Sequence, residues 1–270
     1  MQLQAARERF EAQGIKLAAI SYDSEAMLKE FADRHKIDYP LLADRDSAMI
    51  RKFKVLNTEA TGPEKGMSHP GFFYIDAQGI IREKFFELKY LNRFTPNDVI
   101  VKLFPELAEQ VNEKVEAPHL QLSLAQSDRA VVPGNRVSFI AKIQLPAGVH
   151  VYAPGVKGYK PIALSIKTIA DAAPVGLIYP PSKVLNLEAI HERVPVFEGE
   201  FRIVYEIRID SSQTFIASLG NGKELAVTGE LKYQACDESV CYPPASLPVS
   251  WKLEVIPLDH QRSSDAIQHK

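Results

Sequence analysis

Cysteine is nearly absent from this 270-residue chain: only Cys236 and Cys241 are present, along with a single tryptophan. A zinc site needs about four ligands, so two thiols leave no metal centre to expect, and no cofactor is expected either. No apolar run approaches the roughly 20 residues that span a bilayer, and the opening Met1-Gln2-Leu3-Gln4-Ala5-Ala6-Arg7-Glu8 lacks the apolar core of a signal peptide. An excess of either charge is missing too. Against 32 lysines and arginines stand 34 acidic residues, for a net charge of -2, and no basic run stands out. Nothing supplies the counterion-releasing surface that nucleic-acid binding needs, so nucleic acid is not an expected partner. Internal repeats and low-complexity segments are likewise absent.

What remains is an ordinary globular composition, 46% hydrophobic and 24% charged, long enough for two domains. The two cysteines flank Asp237-Glu238-Ser239-Val240 and lie between runs that read as strands. A disulfide across so short a loop removes little chain entropy from the unfolded state, so it makes a weak staple. Thiol chemistry is therefore the leading functional hypothesis for the pair. An inert staple in a binding sandwich is the alternative.

Two halves follow different periods. From Met1 to about Phe104 the pattern is α/β. Leu3, Ala6 and Phe10 follow helical spacing up to Gly14, and Ile15 to Ser21 reads as a strand. Ser24 caps a helix carrying Met27, Leu28 and Phe31. Tyr39 to Asp44 reads as a strand, Met49 to Phe53 as a helix, and Phe72–Ile75 with Ile80–Phe86 as a hairpin turning on Asp76-Ala77-Gln78-Gly79. Thr95-Pro96 opens a last helix. After Pro118 alternating strands are expected at 120–124, 137–143, 162–166, 201–209, 225–233 and 249–255, which argues a β-sandwich. Residues 105–118, rich in Glu, Gln and Asn, are the expected join, and 259–270 a polar, frayed tail.

In the first half, Gly14-Ile15-Lys16-Leu17-Ala18-Ala19-Ile20-Ser21-Tyr22-Asp23-Ser24, Tyr39-Pro40-Leu41-Leu42-Ala43-Asp44 and His69-Pro70-Gly71-Phe72-Phe73-Tyr74-Ile75-Asp76 resemble successive blocks of the peroxiredoxin family, the alkyl hydroperoxide reductase and thiol-specific antioxidant proteins. The resemblance covers residues 1–104 and implies a thioredoxin-like α/β fold, here incomplete. By the same resemblance the peroxide-attacking cysteine would lie upstream of Met1, at the start of the helix matched by Gln2 to Gln13. Peroxide reduction needs a thiolate, and residues 1–118 contain no cysteine, so peroxidase activity is not expected from them. A thiol-specific antioxidant peroxidase with its cysteine further upstream is the runner-up function. Pro70 falls where the family places a cis-proline. His35 and His69 lack partner cysteines or an HExxH spacing and read as surface or turn residues.

In the second half, Leu231-Lys232-Tyr233-Gln234-Ala235-Cys236 and Cys241-Tyr242-Pro243-Pro244 resemble the signature of the N-terminal domain of the DsbD thiol:disulfide interchange family. Gly148-Val149-His150-Val151-Tyr152, Tyr179-Pro180-Pro181 and Phe197-Glu198-Gly199-Glu200-Phe201 stand in supporting positions. This resemblance covers about residues 119–256. It implies an immunoglobulin-like sandwich at 119–258 whose cysteine pair relays electrons, with a thioredoxin-like protein or a membrane thiol:disulfide interchange protein as partner and a periplasmic or otherwise extracytoplasmic location. It further implies that Cys241 forms the mixed disulfide and Cys236 resolves it, that Phe197 shields the site, and that Tyr152 and His150 neighbour it. Asp237 and Glu238 would raise a nearby thiol pKa, so the pair is expected to be attacked as a disulfide rather than to act as an aggressive nucleophile. Tyr233 and Tyr242 are expected to pack. The activity so implied, oxidoreductase in class, is thiol:disulfide exchange.

Overall fold

The computed structural model describes residues 2–111, 114–187 and 191–259. It divides into two compact units, one built around residues 2–103 and the other comprising Phe104–Pro257. Apart from Asp259, the expected polar tail lies outside the described residues.

The first unit is α/β. Its elements are α1 (Gln2–Glu11), β1 (Ala19–Ser21), α2 (Glu25–His35), β2 (Leu41–Ala43), α3 (Ala48–Lys52), β3 (Gly71–Ile75), β4 (Ile81–Phe86), the two-residue β5 (Arg93–Phe94) and α4 (Pro96–Leu103). Local chemistry sets the ends of these elements. The Ser24 side chain accepts the Met27 amide at the start of α2, and Lys36 closes that helix in the left-handed region at φ 52°. The Asp44 carboxylate accepts the amides of Met49 and Ile50 at 3.1 and 2.8 Å and so fixes the start of α3. Asp76 accepts the amides of Gln78 and Ile80, both at 2.9 Å, and closes the β3–β4 turn.

Ala6 and Phe10 of α1 and Val99, Ile100 and Val101 of α4 are buried, as is Phe85 of β4, whose ring meets Phe94 at 5.6 Å. β1 and β2 pair in parallel, and β3 and β4 pair antiparallel as a separate sheet. The strand expected from Ile15 forms only at Ala19–Ser21, because three residues of β2 are all it has to pair with. Ile20 and Leu42, partners in that ladder, both remain exposed, and α2 buries no residue completely. The Pro70 peptide bond is trans, which corrects the cis-proline expectation, since no described peptide bond is cis. Even X–Pro bonds favour trans by about 0.5–1 kcal/mol unless packing overrides it.

The second unit is a β-sandwich. One sheet orders β13 (Ala172–Ile178), β16 (Glu200–Ile209), β10 (Asn135–Gln144) and β8 (Leu120–Gln126). Short strands β6 (Glu109–Gln110) and β7 (Val115–Ala117) run antiparallel to β8, so the stretch expected to be a join is partly sheet. A second sheet orders β12 (Ala163–Ile166), β17 (Lys223–Tyr233), β19 (Ala245–Val255) and β9 (Ala130–Val131). The core between them holds Phe139 and Trp251, rings 5.5 Å apart, and Trp251 Nε1 donates to the Ala125 carbonyl at 2.9 Å. A third sheet orders β14 (Lys183–Leu187), β15 (Glu192–Glu198), β11 (His150–Tyr152) and β18 (Ala235–Cys236). Gly199, at φ 65°, is the corner where the chain leaves β15 in the third sheet and enters β16 in the first. A short helix, α5 (Gln213–Ser218), is capped by Ser212.

Candidate functional site

β18 carries Cys236 and ends in a tight turn that returns Cys241 beside it, and the two sulfurs form a disulfide of 2.03 Å. The turn is held by its own groups. Asp237 N–H donates to the Val240 carbonyl and Tyr242 N–H to the Ala235 carbonyl, each at 2.9 Å. The Asp237 carboxylate accepts the Ser239 and Val240 amides at 2.7 and 2.8 Å and the Tyr242 hydroxyl at 2.5 Å. These bonds, the Tyr242 hydroxyl first among them, hold the Asp237 carboxyl below the usual aspartate value, and the same contact pushes the Tyr242 phenol up. Glu238 stays exposed on the turn. His119, at φ 60°, stacks its ring on Tyr242 with centroids 3.6 Å apart.

The two sulfurs sit in different surroundings. Cys236 is 1% exposed and packs with Tyr152, Val194 and Val196, whereas Cys241 is exposed at the surface. The Tyr152 hydroxyl lies 3.8 Å from Cys241 Sγ, and its ring stacks on Tyr159 at 4.3 Å and meets the edge of His150 at 5.4 Å. Tyr159 donates to Glu192 at 2.8 Å, which raises its phenol pKa. Burial, the larger effect, raises that of Tyr152.

Registry places His150 directly opposite Cys236 on one side and Glu198 on the other, one row across three strands. His150 is buried, and its Nε2 is buried without a hydrogen-bond partner. Burial pulls the imidazole pKa down, opposed by the charges of Glu198 and Asp237. Glu198 also pairs with Lys183 at 3.1 Å. Among the described residues no three His, Cys, Asp or Glu side chains converge as a metal site.

Of the residues singled out in the sequence, Cys236, Cys241, Tyr152 and His150 come together here. Phe197 does not, and its shielding role is corrected. It lies opposite Val151 in register, on the alternate face of β15 from Val194 and Val196. Its ring is 3% exposed in the main core, stacked on Phe201 at 4.8 Å and parallel to Tyr179 at 6.4 Å. Tyr152 reaches the Cys241 sulfur, and Tyr159 stacks on Tyr152 and packs against the cluster that holds Cys236. Tyr159 was missed because nothing in its neighbourhood of sequence, Gly158-Tyr159-Lys160-Pro161, marks chemistry. His119 was missed for the same reason. Tyr233 packs as expected and donates to the Pro118 carbonyl at 2.8 Å. Tyr242 is more than packing, since it holds Asp237. Pro70 and His69 are far along the chain in the first unit, where His69 Nδ1 is 3.1 Å from the Leu88 carbonyl, and His35 ends α2 against Phe31.

Residues 1–84 match the AhpC/TSA family, and residues 121–249 match the family described as thiol:disulfide interchange protein DsbD, N-terminal. Among the solved structures that resemble the chain are two N-terminal domains. The N-terminal periplasmic domain of ScsB from Proteus mirabilis aligns at 13% identity and a TM-score of 0.35 over 56% of this chain, and the chain spans about half, 53%, of that protein's length. The Neisseria meningitidis DsbD N-terminal domain, in its reduced form, aligns at 16% identity and a TM-score of 0.29 over 45% of this chain and 82% of its own. No curated protein matches the chain.

Proposed function

We propose that this is a thiol:disulfide exchange protein in which the Cys236–Cys241 pair passes electrons between thioredoxin-like proteins or a membrane thiol:disulfide interchange protein. In this reading the sandwich is immunoglobulin-like, the first unit is thioredoxin-like, and the site works in the periplasm or another oxidising compartment. The observation that carries it is the unequal exposure of the two sulfurs. A thiolate must approach along the S–S axis, and only Cys241 is reachable from solvent. Attack there expels the Cys236 thiolate, which stays five positions away along the chain and resolves the mixed disulfide in the reverse step. The match of residues 121–249 to an interchange family supports the same chemistry.

The test is the midpoint potential of the pair, measured by equilibrating the full chain with graded glutathione or dithiothreitol buffers and counting free thiols by mass. A midpoint between about -180 and about -270 mV supports a working relay; one below about -300 mV with slow reduction makes the pair an inert staple and ends the proposal. The match of residues 1–84 favours a second reading, a thiol-specific antioxidant peroxidase. In that reading the attacking cysteine would lie upstream of Met1, since residues 1–84 contain none. Residues 1–270 alone are expected not to consume hydroperoxide in the presence of dithiothreitol, and turnover by a longer form carrying an upstream cysteine would favour it.

A further inference from the structure

We infer that His150 is the acid–base partner of Cys236, taking the thiol proton when Cys236 attacks and returning it when Cys236 leaves. The inference rests on the exchange function proposed above and assigns a proton path within that site. Three observations converge on it. His150 and Cys236 are direct partners across β11 and β18, so their side chains leave the sheet on the same face. Both are buried, which removes water as the ready proton carrier at this end of the disulfide. Nε2 of His150 is buried with nothing to bond to. An unpartnered buried nitrogen is costly, and a disulfide sulfur has no proton to offer it. Reduction gives Cys236 an S–H donor on the strand directly opposite, so the nitrogen gains a partner in one redox state only.

The step balances as follows. With Cys241 joined to a partner cysteine after attack on a protein disulfide, the Cys236 thiol gives its proton to Nε2. The resulting thiolate attacks Cys241 Sγ, the Cys236–Cys241 bond forms, and the bond from Cys241 to the partner breaks. The partner sulfur leaves as a thiolate and takes a proton from solvent, and the imidazolium releases its own proton to solvent. Two electrons pass from the dithiol to the partner's disulfide. In the opposite direction the imidazolium protonates Cys236 as it departs. Burial disfavours the His150 imidazolium on balance, so it returns the proton promptly. The charges of Glu198 from β15, itself paired with Lys183 of β14, and of Asp237 from the turn after β18 oppose that effect, with the neutral Tyr152 ring beside His150 on β11.

The full chain, reduced chemically and freed of reductant, is mixed with one equivalent of Ellman's reagent. The first aromatic thiolate released reports formation of the mixed disulfide, and the second reports attack by Cys236. At about pH 7 the second phase is expected to be at least about tenfold slower in His150→Gln than in the unaltered protein. The two are expected to converge as the pH is raised to where the thiol ionises unaided. Superimposable second-phase profiles overturn the inference. Should His150→Gln not fold, the imidazole signal of the unaltered protein, assigned by its through-space contact to the Tyr152 ring, is titrated in both redox states. Its midpoint is expected to fall on reduction, because the Cys236 S–H stabilises the neutral imidazole, and an identical midpoint in both states overturns the inference. Because the reduced protein and a small disulfide are used throughout, the result does not depend on whether a thioredoxin-like partner exchanges with the pair.

Discussion

The Tyr152 hydroxyl sits 3.8 Å from the exposed sulfur of Cys241, while the same side chain belongs to the buried cluster that holds Cys236. One residue thus joins the surroundings of both halves of the disulfide.

Tyr152→Ala is expected to speed reduction of the disulfide by dithiothreitol by about tenfold, because it opens the buried sulfur to attack as well. It should also cost about 3 kcal/mol of stability through the cavity it leaves. Tyr152→Phe keeps the ring and is expected to change the rate by less than about threefold. Reduction kinetics followed by free-thiol assay check this, and equal rates in all three proteins would remove Tyr152 from the site.

Acid should loosen the turn before the rest of the sandwich. The Asp237 carboxyl is held below its ordinary value, which is about 3.9 in an unfolded chain, by the Tyr242 hydroxyl and two amides. A depressed folded pKa contributes stability that is fully present above the unfolded value and is lost as pH falls through the folded one. In Asp237→Asn that contribution is gone at every pH. Thermal midpoints measured between about pH 2 and about pH 6 should therefore differ most between the two proteins at the upper end and converge at the lower. A constant difference across the range would show that the carboxylate charge is irrelevant to the turn.

Phe139→Ala should cost about 3–5 kcal/mol, since the ring is fully buried against Trp251. Trp251 is the chain's only tryptophan and belongs to the second unit, so its fluorescence reports unfolding of that unit alone. The urea midpoint of that signal is expected to fall. A midpoint within error of the unaltered protein would mean the two sheets do not rely on this contact.

The strands of the sandwich were legible where both faces are buried or alternate cleanly, as in Val137–Ile143 and Leu225–Tyr233. The third sheet was not. β11 is three residues long, and β14 and β15 are interrupted by Pro195 and exposed polar residues, so no periodic signal marks them. That is the sheet that frames the disulfide. The cysteines declared themselves by rarity and spacing, but their unequal burial comes from cross-strand neighbours, Tyr152 and Val196, that are distant in sequence. Phe197 misled for a local reason: at the Gly199 corner a one-residue step along β15 changes which face a side chain occupies. In the first unit helix caps and the Asp76 turn could be read directly, whereas the extent of β1 was fixed by a partner strand twenty residues away.

The turn between the cysteines keeps its shape through backbone hydrogen bonds and the Asp237 carboxylate, none of which involves sulfur. Breaking the S–S bond therefore demands almost no reorganisation of the chain around it. For the exchange function proposed above, oxidised and reduced forms would then present nearly the same contour, and a partner would have to tell them apart by reaction rather than by fit. Productive and futile encounters would begin alike and diverge only when sulfur meets sulfur.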